Sequence, residues 1–382
     1  MVYFNNAATT WPKPENVYKE VNAFFRQEGV NPGRSQDLKT MNINRKIFDT
    51  REKLANFFGQ KDSSRFVFTS GATESLNLAI KGLLNRGDHV ISTRLEHNSV
   101  IRPLNDLIKE GRITVDYLSF NKKGIIEKAM IEDVIKDSTA LIVISHASNV
   151  LGTVNNIREI ADFAQQNNIK ILLDAAQTAG VLEINLNQIK VDMLSIPGHK
   201  SLYGPPGIGS LFIRKNINLD TLMEGGTGSN SLNTSQPEVM PDKYESGTMN
   251  TLGIIGLGAG LDFIRKTEIN KIYKHEINLL KNFIEGLSEI KNIVIYGSRD
   301  LKQKVGVLSI NLSNLSAAKF AYLLQNEYNI SVRSGLHCAP FLHKEMGTVD
   351  KGMVRFSFSF FNTLDEVNYA LNVIDDIAKK EG

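Results

Sequence analysis

Seven short apolar runs alternate with amphipathic stretches between residues 65 and 214, and this alternation constrains the fold more than any other feature of the chain. The runs are Arg65–Thr69, His89–Thr93, Ile113–Leu118, Ala140–Ser145, Ile169–Leu173, Met193–Ile196 and Ile208–Ile213. Several are apolar almost throughout, as strands covered on both faces are. After the first, Leu76, Ala79, Ile80 and Leu83 recur at helical spacing, so the segment reads as βαβ and predicts a mainly parallel seven-stranded sheet. In such sheets the crossovers are right-handed and ligands bind beyond the carboxyl ends of the strands. Chemistry is therefore sought just after each run.

Beyond Gly253 the pattern changes. Two long helical stretches (Ile254–Lys266 and Asn270–Leu287) lead to strands near Ile293–Tyr296, Gly306–Leu312, Ile330–Arg333 and Val354–Phe358, with helices near Ala317–Gln325 and Leu364–Ala378. This predicts an α/β chain with a large domain over residues 15–255. A smaller α+β domain takes in residues 256–382 together with 1–14.

Length and composition agree with a folded two-domain chain: 382 residues, 42% hydrophobic and 22% charged. A net charge of +3, without blocks of like charge, gives no grip for nucleic acid or a membrane surface. The start of the chain lacks the pattern of a secretory signal, and no apolar run approaches the ~20 residues that cross a bilayer. The one cysteine, Cys338, excludes an intramolecular disulfide, and the expected location is the cytoplasm.

Several residues lie where the sheet would place chemistry. Ser70-Gly71-Ala72-Thr73-Glu74 follows a strand and opens a helix; Ser70 is the expected N-cap, and the free N–H groups suit an anion. Asp174 ends an apolar run and could hold a protonated ring nitrogen, or cap the turn after it. Lys200, in Pro197-Gly198-His199-Lys200-Ser201-Leu202-Tyr203-Gly204-Pro205, follows a strand inside a Gly/Pro-rich turn, where partial desolvation would free its amine for a Schiff base. An ordinary solvated loop lysine is the plain alternative. His97, after the second run, could stack on an aromatic ring or simply start a helix. Asn149 follows a strand and serves equally as a turn former. Arg355, embedded in an apolar strand, needs a carboxylate from another side chain or from a substrate. Cys338 follows Arg333-Ser334-Gly335-Leu336-His337, where His337 and Arg333 would favour an exposed thiolate over an inert buried thiol. His337, Cys338 and His343 lack a fourth ligand and match no zinc spacing, so no metal is expected.

Together these segments resemble the cysteine desulfurase family of the class V aminotransferases, from Asn5-Asn6-Ala7-Ala8-Thr9-Thr10 to the C-terminal helix. The resemblance implies the fold type I of pyridoxal-5'-phosphate (PLP) transferases. It implies that Lys200 carries the cofactor, His97 stacks over its ring, Asp174 faces the ring nitrogen and Gln177 lies near the phenolic oxygen. Phosphate would be held by Ala72, Thr73 and His199, with Gly247 and Thr248 reaching in from a second subunit, so that a homodimer shares the site. Asn149, Arg333, Arg355 and Ala8 would meet the substrate, L-cysteine. Lys200, His97 and Cys338 would be catalytic, with Cys338 carrying persulfide toward a sulfur-acceptor protein. The short Arg333–Ala339 segment is similar to the SufS-like second group, whose cysteine sits on a compact loop. Three departures stand out: Pro197 replaces a phosphate-binding serine or threonine, Ser201 separates Lys200 from Leu202, and Asn31-Pro32-Gly33-Arg34-Ser35 lacks the histidine of that group. Selenocysteine lyase or another class V lyase or aminotransferase, and a non-catalytic sulfur carrier or scaffold, remain the alternatives.

Overall fold

A computed structural model describes residues 1–33, 37–228 and 232–381. Arg34 and Ser35, part of the early loop noted above, lie outside the described residues.

In chain order the elements begin with β1 (Val2–Tyr3), α1 (Glu15–Gln27) and α2 (Leu38–Phe57). The alternating segment follows: β2 (Phe66–Thr69), α3 (Ala72–Leu83), β3 (His89–Thr93), α4 (Asn98–Lys109), β4 (Thr114–Leu118), α5 (Lys128–Glu132), β5 (Thr139–Ser145), α6 (Ile157–Gln166), β6 (Lys170–Asp174), β7 (Met193–Pro197) and β8 (Gly209–Ile213). These strands form one seven-stranded sheet in the order β2-β8-β7-β6-β5-β3-β4. It is parallel except at β8, which runs antiparallel to both β2 and β7. The apolar runs become strands because both sheet faces are covered: Ile142, Ile144, Ile171 and Leu173 enter one core, and Leu141, Val143, Leu172 and Met193 the other. β5 and β6 are thus buried on both sides, as near-continuous apolar sequence demands.

The rest comprises α7 (Thr251–Thr267), α8 (Ile269–Leu287), β9 (Ile293–Tyr296), β10 (Val307–Leu312), α9 (Ala317–Asn326), β11 (Ile330–Ser331), β12 (Arg333–Gly335), α10 (Pro340–Glu345), β13 (Met353–Ser357) and α11 (Leu364–Glu381). An antiparallel sheet, β12-β13-β10-β9, packs with α8, α9 and α11 around Leu280, Phe283, Phe320, Phe356 and Ile374. α7 lies against α1 and α2 instead, and Ile254, Leu257 and Leu261 join the core of the large sheet. We propose to read the two cores as two domains, with α7 packed on the larger.

Two expectations need correction. The run Ile330–Arg333 is not one strand: β11 pairs with β1, while Arg333 starts β12 on the second sheet. Ser70 is not the N-cap of α3. Gly71 takes that position at φ +154°, and the Ser70 N–H donates to Glu74 Oε2 at 2.6 Å. Glycine is required at the neighbouring strand start too, because a Cβ on Gly209 would stand 2.5 Å from Gly71 Cα. The close approach brings the head of α3 against β8.

Candidate active site

A cavity of about 340 Å³ opens beyond the carboxyl ends of the large sheet. That volume falls in the range of small-ligand sites. Its lining gathers Ala72, Thr73, His97, Asn149, Asp174, Gln177, His199, Lys200, Arg333, Arg355 and Ala8, residues that span most of the chain.

Lys200 stands in the connection between β7 and β8. That turn is closed by Gly198 N–H to Ile208 O and by Gly204 N–H to Gly198 O, both 2.8 Å, and anchored by buried Leu202 and Tyr203. The carbonyl of His199 accepts from the Thr9 hydroxyl at 3.1 Å and from Lys13 Nζ at 2.5 Å. Among the described residues nothing hydrogen-bonds or ion-pairs with Lys200 Nζ. Burial is the main force pulling its pKa down, to about 8, with Arg355 and Arg333 adding to it against the attraction of Asp174. A loop lysine held this way is an available amine rather than a solvated charge.

Asp174 ends β6, buried, with Oδ1 accepting from Ala176 N–H at 2.9 Å. It therefore caps the following turn, while its other oxygen remains free for a ligand. Burial raises its pKa, and the charge of Lys200 works against that.

His97 is the N-cap of α4 and lines the cavity as well. Ser99 N–H donates to its Nδ1 at 3.1 Å, which makes Nδ1 the acceptor and leaves the proton of the neutral ring on Nε2. Burial first, then the charges of Lys200 and the nearby arginines, lowers its pKa to about 4. His199 is brought to about 4 mainly by burial. The positive charge of the site therefore comes from the arginines and from protonated Lys200, not from its histidines.

Arg355 is buried on β13, opposite Arg333 in the β12–β13 register. Its Nη1 donates to Asn149 O at 3.0 Å and Nη2 to Asn5 Oδ1 at 3.2 Å, while buried Nε has no partner among the described residues. No side-chain carboxylate pairs with Arg355 or Arg333 among the described residues, so the acid partner expected for Arg355 is not another side chain. Burial and the repulsion of Arg333 bring its pKa down to about 9. Two arginines without acids at a cavity wall are arranged for an anionic ligand.

Cys338 sits in the turn from β12 to α10. Arg333 Nη2 lies 3.4 Å from its Sγ. His337 and Cys338 both hold left-handed backbone, φ +48° and +58°, each costing of order 1–3 kcal/mol in a residue with a side chain. Two donors offset that strain: Asn98 N–H to Cys338 O at 2.7 Å and Asn149 Nδ2 to His337 O at 2.8 Å. The expected help from His337 is absent. Its ring is buried, hydrogen-bonds Met353 O at 3.0 Å through Nε2, and has its pKa pushed far down by burial, so it brings no charge to the sulfur. Cys338 lines a second, outer groove with Asn98, Arg102 and Lys109; His97, Ser99 and Thr73 belong to both spaces.

Sequence reading passed over Asn5, which orients Arg355, and Asn98, which holds the cysteine turn. Glu96 carries no expectation from the sequence, and Ser145 enters only as the last residue of an apolar run. A serine closing an all-apolar strand at the ligand-binding edge was the available signal. Gly247 and Thr248 do not line the main cavity. Thr248 faces a separate depression with Ser70 and Glu74, and Gly247 N–H donates to Gly226 O at 2.8 Å.

The site fits PLP. A free amine, a buried carboxylate with an open oxygen, a helix N-terminus and an unpaired buried arginine nitrogen converge on one cavity.

The chain belongs to the aminotransferase class-V family, whose sequence pattern matches residues 2–370. It is 33% identical to a probable cysteine desulfurase of Methanothermobacter thermautotrophicus, covering 99% of this chain and 94% of that one. It is 30% identical to the cysteine desulfurase IscS of Dictyoglomus turgidum, covering 99% and 95%. The apo structure of a cysteine desulfurase from Thermococcus onnurineus superposes with a TM-score of 0.93 at 32% identity, over 99% of this chain and 95% of that one. Among the described residues no helix is long and apolar enough to cross a membrane.

Proposed function

We propose that the chain is a PLP-dependent cysteine desulfurase that forms L-alanine from L-cysteine and keeps the sulfur on Cys338. The observation that carries this is an unpartnered Lys200 amine in one cavity with Asp174 and two acid-free arginines, one of which, Arg333, donates a hydrogen bond to Cys338 Sγ at 3.4 Å. Lys200 would hold the cofactor, Asp174 its ring nitrogen, His97 the ring face and Gln177 the phenolic side. Ala72, Thr73 and His199 would hold its phosphate; Pro197, which lacks a side-chain hydroxyl, lines the same cavity. When bound, the cofactor supplies an electron sink for the substrate's α-carbon, which makes the bond from β-carbon to sulfur breakable.

The chain's own groups do the rest. Arg355 and Arg333 bind the substrate carboxylate beside Asn149 and Ala8. Lys200 Nζ is the group placed to take the α-proton. Neutral His97 can give its Nε2 proton but does not repel the arginines. Cys338 Sγ forms a bond to the substrate sulfur as the Cβ–S bond breaks; the bonding pair stays on Cβ, which takes a proton and leaves as the methyl of alanine. The pinned turn at Cys338 supports a compact-loop enzyme. A homodimer is supported by Phe25, Met41 and Phe48, large apolar side chains exposed on α1 and α2. Gly247 and Thr248 would then approach the partner's phosphate site. An acceptor protein would collect the sulfur, and the single cysteine suits a reducing cytoplasm.

The test is the visible spectrum of the purified protein with PLP, before and after borohydride and after L-cysteine, with an added dithiol that reduces the Cys338 persulfide and frees its outer sulfur as sulfide, and with alanine and sulfide measured together. A near-visible band with alanine and sulfide in equal amounts is expected. A band with a keto-acid requirement moves the assignment to transamination, and no band returns the chain to a binding scaffold. Loading is also pH-dependent. The neutral Lys200 amine is the reacting form, so the loading rate climbs about tenfold per pH unit up to about 8 and then levels. A rate that is flat from pH 6 to 8 contradicts the lowered pKa.

Arg355→Lys keeps a charge but loses the planar fork. KM for L-cysteine is expected to rise about 10- to 100-fold, since hydrogen bonds to charged groups contribute about 1.5–3 kcal/mol. An unchanged KM in steady-state kinetics removes Arg355 from substrate binding.

A further inference from the structure

Glu96 is fully buried, and the mechanism above does not use it. It lies between the end of β3 and the start of α4, immediately before His97. Oε1 accepts from the Thr93 hydroxyl at 2.6 Å and from Ser145 N–H at 3.0 Å; Oε2 accepts from the Ser145 hydroxyl at 2.6 Å. Ser145 in turn pairs with Asp174 in the β5–β6 register and lines the cavity. Glu96 and Asp174 therefore flank one serine at the cavity floor, and Glu96 has no cation partner among the described residues. A buried carboxyl with only neutral donors is costly to keep, and core packing does not call for it.

The ionisable groups that face Glu96 are Asp174 on β6 and Tyr117 on β4. Burial raises the Glu96 pKa to about 7; its three hydrogen bonds oppose that, and the charge of Asp174 adds to it. Tyr117 is pushed up by its own burial and by Glu96. The carboxyl is thus ionised in the alkaline range, where a ring nitrogen on Asp174 would lose its proton.

We propose that Glu96 is a positioning residue of the cofactor site, fixing Ser145 and the turn that carries His97 and adding a second negative charge behind Asp174 that keeps the facing ring nitrogen protonated. The inference rests on the PLP reading. A negative charge behind Asp174 raises the proton affinity of the carboxylate and of the cation it faces.

The experiment loads the full-length protein with ring-15N-labelled PLP and follows the ring-nitrogen chemical shift against pH. Relative to the unsubstituted protein, Glu96→Gln is expected to lower the deprotonation midpoint by about one pH unit, as loss of one nearby buried charge does. Glu96→Asp, which keeps the charge, restores the midpoint even where it lowers thermal stability. If E96Q does not fold, Ser145→Ala carries the test. It removes a 2.6 Å donor, raises the proton affinity of Glu96 and shifts the midpoint the same way by less. An unchanged midpoint in the folded variant, or an E96D shift as large as that of E96Q, overturns the proposal in favour of a purely structural carboxyl. If the unsubstituted protein takes up no PLP, the cofactor reading itself falls.

Discussion

Cys338→Ser is expected to lower alanine formation from L-cysteine at least about a thousandfold, the order of loss seen when an enzyme's nucleophile is removed. Serine preserves the size of the side chain and the hydrogen bond that Arg333 offers at 3.4 Å, so the pinned turn should survive. The loss is therefore one of sulfur chemistry. Cofactor absorbance and melting temperature should match the parent protein, because Cys338 touches the cavity only through Arg333 and the shared wall at His97. Full desulfuration by C338S removes Cys338 from the mechanism. Selenocysteine turnover that survives in C338S while cysteine turnover fails identifies a lyase instead.

Lys200→Ala should have an equally large effect by a different route. The cofactor would still be held by Asp174, His97, Gln177 and the head of α3, but without a covalent tie. Borohydride should then fix no cofactor to the chain, and alanine formation should drop by about 10²–10⁴-fold or more, the contribution of a positioned general base. Mass spectrometry after borohydride reads the first outcome directly. A cofactor that remains fixed to K200A places the attachment on another lysine. Partial recovery of turnover with a small primary amine would separate the lost base from a collapsed site.

The extent to which the sequence foretold this molecule follows from where burial leaves a local trace. His89–Thr93 and Ile293–Tyr296 become strands with the very limits that their apolar runs suggested. α1 and α2 went unassigned although each buries one helical face, Val17 and Phe24 in α1 and Ile43, Ile47 and Leu54 in α2, because exposed Phe25, Met41 and Phe48 add apolar residues off that face and blur the spacing. The run Ile330–Arg333 reads as one strand because nothing local marks the change of partner at Val332. In the site, Lys200, Asp174 and His97 were legible because each stands at or just past the end of a strand at the edge where ligands bind. His337 was misjudged for the opposite reason: proximity in sequence to Cys338 says nothing about a ring turned into the core toward Met353. Glu96 left only a faint mark, one acid between an apolar strand and a helix.

The antiparallel β8 bears on motion as well as topology. It returns directly beside β7, so the segment carrying Lys200 is moored to the sheet at both ends and stapled across by the Gly198 bonds. A lysine on such a mount moves by rotation about its own side-chain bonds, with its backbone as a fixed pivot. The same amine can then be a tether at one moment and a proton carrier at the next, alternating at the pace of side-chain rotation without a slow rearrangement of the loop.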